Sequence, residues 1–146
     1  MYIYNLDRFL EAQKNIYQNA LDEIKSGRKQ SHWMWFIFPQ ITGLGFSEVS
    51  QYYAIAGLDE AACYLNHQIL GDRLVEVSNV LLHLPTNNAN KIFGMPDDMK
   101  LRSSMTLFNE VSNAPTVFQS VLDKFFDGTP DIKTLEILGF AEDMDE

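Results

Sequence analysis

The chain has 146 residues, 46% of them apolar, with 20 acidic against 11 basic side chains and a formal charge of −9. That size suits one domain with one core, and the negative balance disfavours a phosphate backbone, so DNA and RNA are not expected partners. Cys63 is the sole cysteine, which excludes an internal disulfide and a thiolate metal cluster within one chain. No run of about 18 apolar residues could span a bilayer, and the N-terminus lacks the basic-then-apolar order of a secretory signal, so a cytoplasmic protein is expected.

Helical periodicity governs the elements in order. Phe9, Ile16, Ala20 and Ile24 form one stripe, with Leu10, Tyr17 and Leu21 beside it, predicting a first helix from Asp7 to Ser26. Gly27 supplies its left-handed end, and Lys25 complements the dipole. Ser31 is the expected cap of a short helix carrying the aromatic run SHWMWFIFPQ, which stops near Phe38 because Pro39 disfavours helical geometry in the residue before it. The loop Gln40 to Phe46 follows, and its two glycines read as a tight turn more readily than as a ligand loop.

Ser47 caps a helix to Ile55, and another runs from Asp59 to Asn66 behind two first-turn acids. Leu70 to Leu84 holds the longest apolar helical pattern and is expected to be central. Asn88 or Asn90 opens a short turn of helix ended by Gly94. Pro96, Asp97 and Asp98 start a helix to Val111; Pro115 and Gly128 bracket the next; the last runs from Asp131 to Leu138. The acidic tail, residues 141–146, should fray. No segment alternates with period two over a strand's length, and neither a repeat nor a linker appears. The expectation is an all-α, single compact multihelical domain of about seven to nine helices over residues 1–146.

These residues also carry a resemblance. LDRFLEAQ at Leu6 to Gln13, GRKQSHWMWFIFPQ at Gly27 to Gln40, GLG at Gly43 to Gly45, IFG at Ile92 to Gly94 and DDMKLRSSMTLF at Asp97 to Phe108 resemble, in the same order, the domain of unknown function 1810, an uncharacterised bacterial family also called Rv1873-like. The likeness reaches to about Leu138. It implies a multihelical fold, and it supplies neither mechanism nor cofactor. Gln30 departs from the family's GRKRSHW pattern, which weakens an anion-binding role for that turn.

Several polar residues invite a functional reading beside a structural one. Gln13 lies on the inward stripe, where its amide needs several hydrogen bonds; satisfying backbone at a helix crossing is the simpler role. His32, expected in the first turn of the aromatic helix, would be held neutral by the positive dipole end and so suits proton transfer or ligand contact. Arg28 and Lys29 could meet an anion at that helix N-terminus, or form a solvated basic turn. Trp33 or Trp35 could stack a planar ring, with Gln40 nearby.

The second polar cluster is Asp97, Asp98, Lys100, Arg102, Ser103 and Ser104. Spacing pairs Asp97 with Lys100 and Asp98 with Arg102 as surface ion pairs, whereas paired mid-helix serines ask for close packing or a partner. A Ser-Lys nucleophile on Lys100 with Ser103 or Ser104 lacks an oxyanion hole and an orienting third residue. His67 and His83 show no ligand spacing, so no metal site is expected, and the Gly43-Leu44-Gly45 turn is no dinucleotide fingerprint.

The reading carried forward is that the aromatic helix, the basic turn and the Asp97 to Ser104 helix converge on a pocket for a small polar or anionic metabolite. A nucleotide-like compound would suit it, with His32 and Asp97 or Asp98 the candidates for any catalysis. The rival is a protein-interaction module that uses the aromatic face or the acidic tail to engage a partner or a second copy.

Overall fold

The computed structural model describes residues 4–140. The acidic tail at 141–146 and the first three residues of the MYIY start lie outside the described residues. Among the described residues ten helices follow in order: α1 Asp7–Gln13, α2 Tyr17–Lys25, α3 Met34–Ile37, α4 Glu48–Tyr52, α5 Leu58–Asn66, α6 Gln68–Leu82, α7 Ala89–Phe93, α8 Asp97–Asn109, α9 Val117–Phe126 and α10 Ile132–Leu138. Among the described residues no strand forms, only an isolated parallel bridge between Ile41 and Ile55. The architecture is all-α, as the periodicity requires.

The extra helix comes from the first segment. The expected helix from Asp7 to Ser26 breaks at residues 14–16, where Ile16 N–H reaches the Gln13 carbonyl three residues back at 3.1 Å. Asn15, a weak helix former, sits in this break while the apolar stripe runs on across it. At the far end of α2, Gly27 takes φ +80°. Its N–H bonds the Ile24 carbonyl and the Arg28 N–H bonds the Glu23 carbonyl, a Schellman closure.

Elsewhere the capping chemistry sets the boundaries. Ser47, Asn88 and Asp131 each accept from backbone N–H groups at the starts of α4, α7 and α10. Less usually, the His67 Nδ1 caps α6 by accepting from Ile69 N and Leu70 N at 3.1 and 3.2 Å.

Two long helices share the centre. α6, expected there, packs on α2, α5 and α9, and α8 packs on α5, α7, α9 and α10. Every residue of α8 from Ser103 to Phe108 is buried, apolar and small polar alike. Edge-to-face and tilted contacts run Phe9–Tyr64–Phe108–Phe118 at 5.0, 5.3 and 6.0 Å between ring centres. A second cluster joins Trp33, Phe38 and Phe93. Such pairs contribute about 0.5–1.5 kcal/mol each beyond the apolar area they bury.

Candidate functional site

Glu23, on the last turn of α2, gathers the loop that follows. Its carboxylate accepts from Gln30 N at 2.7 Å, Ser31 N at 2.9 Å, Ser31 Oγ at 2.6 Å and Trp33 Nε1 at 2.9 Å. Burial pushes this carboxyl upward, but the Ser31 hydroxyl, the two backbone N–H groups and the indole N–H outweigh it and hold the group down at about 2. Ser31 is therefore bound to Glu23 and does not cap the aromatic helix. That helix begins only at Met34, with Trp33 as a cap that makes no side-chain hydrogen bond.

Lys29 then ties the two polar motifs together. Its backbone N–H bonds the Ile92 carbonyl at 2.7 Å, and its ammonium donates to the Ser31 carbonyl at 2.6 Å. The same ammonium pairs with Asp97 Oδ2 at 2.9 Å and lies 5.1 Å from the Trp33 ring centre. The other oxygen of Asp97 meets Lys100 Nζ at 3.3 Å, and that ammonium sits 4.9 Å from the Trp35 ring centre. A continuous relay of Lys29, Asp97, Lys100 and Trp35 thus joins the basic turn to the first turn of α8.

Trp35 and Lys100 open onto a cleft of about 440 Å³. Gln40 and Ser103 line it, with Leu44, Gly45, Phe46 and Ser47 along one rim and Asp131 and Lys133 along the other. The second rim is set by α8: Arg102 donates to the Thr129 and Pro130 carbonyls, both at 3.0 Å, and Thr106 Oγ1 accepts from Asp131 N at 2.9 Å. Asp131 in turn caps α10, which points Lys133 along the cleft edge. Of the charged residues lining the cleft, Lys100 and Lys133 against Asp131 leave one positive charge in a chain of −9.

Four of the residues singled out from sequence therefore meet at this cleft, namely Trp35, Gln40, Lys100 and Ser103, with Lys29 and Asp97 behind them. Others do not. His32 is exposed before α3, outside the first helical turn and away from the cleft lining. Arg28 is exposed. Trp33 has 0% of its surface accessible, so it can stack no ligand; its edge packs on Phe93 and its N–H goes to Glu23. Asp98 bonds Asn90 and its neighbour's backbone N–H at Met99, not Arg102. Gln13 is buried and saturated: Nε2 donates to the Phe36 carbonyl at 2.7 Å and the Tyr64 hydroxyl at 3.0 Å, while Oε1 accepts from Arg73. That is the structural role of an amide at a helix crossing. Ser103 Oγ donates to the Met99 carbonyl, and the buried Ser104 hydroxyl has no partner, so neither forms a Ser-Lys pair. Among the described residues no group of three or more His, Cys, Asp or Glu side chains converges as for a metal ion.

The sequence pattern of a protein family described as "Protein of unknown function (DUF1810)" matches residues 3–138. The chain belongs to this family. The crystal structure of the conserved hypothetical protein Rv1873 from Mycobacterium tuberculosis is similar to it, with a TM-score of 0.89 and 43% identity, covering 91% of this chain and 95% of that one. Among curated proteins none matches. No helix among the described residues is long and apolar enough to cross a membrane.

In this DUF1810 chain the residues that sequence reasoning passed over are Glu23, Phe46, Asp131 and Lys133. Phe46 carried a signal, a lone aromatic in a loop between a glycine turn and a serine cap. Lys133 carried none, since only the docking of α10 against α8 brings it to the cleft.

Proposed function

We propose that the cleft lined by Trp35 binds a small anionic metabolite with a planar ring, of the nucleotide-derivative kind, and that the protein acts through this binding. The single supporting observation is the pairing of a half-buried indole with Lys100 above its ring, beside Gln40, Ser103 and Lys133, where the aromatic segment faces α8. An indole face offers stacking to any planar ring, the lysines offer charge to phosphate or carboxylate, and the amide and hydroxyl set orientation. The Lys29–Asp97 pair beneath holds Lys100 in place without neutralising the rim.

The test is a thermal-shift screen of nucleotides, NAD breakdown products and organic acids at millimolar concentration. A ligand at about 100 times its Kd stabilises by about 2.7 kcal/mol, which in a chain of this size raises Tm by roughly 8 °C. Trp35→Ala and Lys100→Met should each remove most of that rise. No shift with any probe, or a shift both variants retain, overturns the reading. The rival reading as an interaction module draws on the exposed apolar residues Phe46, Val49 and Tyr52, and it alone requires a concentration-dependent mass in sedimentation.

A further inference from the structure

One rim of the cleft is an outer loop with a closed base. The chain leaves the core at Ile41 and returns at Ile55, both buried, and there the two legs are fastened: Thr42 N–H bonds the Ile55 carbonyl and Ile55 N–H bonds the Gln40 carbonyl, each at 2.8 Å. Between these points, over residues 42–54, no residue is buried, and α4 within the segment contributes nothing to the core. A closed loop fastened at its base, with no residue fully buried and with Leu44 and Tyr53 half-buried against the core, is the kind of element that opens at low cost.

The two legs are unequal. On the returning side, Arg8 Nε and Nη2 donate to the Tyr52 and Ala54 carbonyls at 2.8 and 2.9 Å while Nη1 pairs with Glu60. Tyr53 there packs on Phe9 and Phe36. On the outgoing side stands Gly43 at φ +98°, a left-handed conformation that side chains rarely adopt. The tip between them is bonded to itself and, through Tyr53 N–H to the Val49 carbonyl and Ala54 N–H to the Gln51 carbonyl, to the returning leg. The Ser47 hydroxyl caps α4, Gln51 Nε2 donates to the Phe46 carbonyl at 2.9 Å, and Gly45 lies so close to Ser50 that an added Cβ would come within 2.5 Å of its hydroxyl. At that tip Phe46 lines the cleft yet is 86% exposed.

We propose that residues 43–51 form a lid that moves as one body on the Gly43 leg and lays Phe46 over a planar ring already stacked on Trp35, so that the ligand is held between two aromatic side chains. The inference rests on the cleft reading above and specifies its ligand class: a planar heterocycle is required, and an anion alone does not close the lid. An exposed phenylalanine at the mouth of a cleft whose floor is an indole gains its burial only when a flat apolar surface arrives between them. The lysines serve the open and closed forms alike.

The probe is AMP, with ribose 5-phosphate as the same anion lacking the ring. Hydrogen exchange of the free protein should show amides 43–51 exchanging well ahead of Thr42 and Ile55 at the pinned base, and AMP but not ribose 5-phosphate should slow them. Phe46→Ala should weaken AMP about tenfold, in line with the contribution of one base–aromatic stack, leave ribose 5-phosphate unchanged and leave the unliganded Tm unchanged, and Phe46→Tyr should restore AMP affinity. AMP binding that Phe46→Ala does not alter, or that leaves 43–51 unprotected, overturns the lid while the cleft reading stands. Failure of AMP to bind the wild type also overturns the lid, and the cleft reading then depends on the organic-acid arm of the screen. A dimer that Phe46→Ala dissolves overturns it as well, by making Phe46 a contact between copies.

Discussion

Replacing Glu23 by glutamine probes the hub on which the aromatic loop is built. The carboxylate accepts four hydrogen bonds, from Gln30 N, Ser31 N, Ser31 Oγ and Trp33 Nε1. Being held from the usual 4.5 down to about 2 corresponds at most to about 3 kcal/mol of stability at neutral pH. Glu23 is only half-buried, and solvent screening brings that to about 1–2 kcal/mol. Glutamine keeps the size, and its carbonyl can hold the three N–H groups at the Oε1 position, but its NH2 then meets Ser31 Oγ, whose O–H loses its acceptor, at about 1 kcal/mol. The expected loss at pH 7 is about 2 kcal/mol, or roughly 6 °C in Tm. The group's folded pKa lies below its unfolded one, so its contribution is complete above about pH 4.5 and is lost as pH falls toward about 2. Urea denaturation of both proteins, followed by circular dichroism from pH 7 to about pH 2.5, should show a gap that is constant down to about pH 5 and then narrows. A gap below about 0.5 kcal/mol at pH 7, or one that does not narrow in acid, refutes the assignment of Glu23 as the charged organiser of this loop.

Three further outcomes follow from single contacts. Gly71→Ala should cost about 3 kcal/mol or more in urea denaturation, because the new Cβ would stand 1.9 Å from the Leu65 carbonyl oxygen where α5 turns into α6; Gly57→Ala, with open space around it, should stay within about 0.5 kcal/mol of wild type. Ser104→Ala should be neutral or raise stability by up to about 1 kcal/mol in the same assay, since it removes a buried hydroxyl without a partner; a clear loss would reveal an interaction of that hydroxyl. Double-mutant cycles with Lys29→Met, Lys100→Met and Asp97→Asn should give a coupling above about 1 kcal/mol for the enclosed Lys29–Asp97 pair and below about 0.5 kcal/mol for the more open Lys100–Asp97 pair.

What the sequence made legible was local chemistry. Gly27, Pro39, Ser47, Asn88, Gly94 and Asp131 mark boundaries by properties of the residue itself, and the structure places the boundaries there or within a few positions. What it hid depends on distant partners. Ser31 has the right side chain and the right place to cap a helix, but Glu23, eight residues back, takes its hydroxyl. Trp33 and Trp35 are equivalent in pattern, yet two positions are roughly half a helical turn, which sends the first into the Phe38 and Phe93 cluster and the second to the cleft. The Lys29–Asp97 contact joins the basic turn to α8, whereas His32, chosen for its chemistry alone, stays exposed and outside the cleft lining.

The fastening of Ile41 to Ile55 separates two kinds of change in this chain. Because the two ends of the outer segment are already held together at the helical body, lengthening that segment adds little closure entropy, about 0.6 kcal/mol for each doubling. Grafts and insertions between those isoleucines should therefore retune what the protein admits while its interior goes on folding as before.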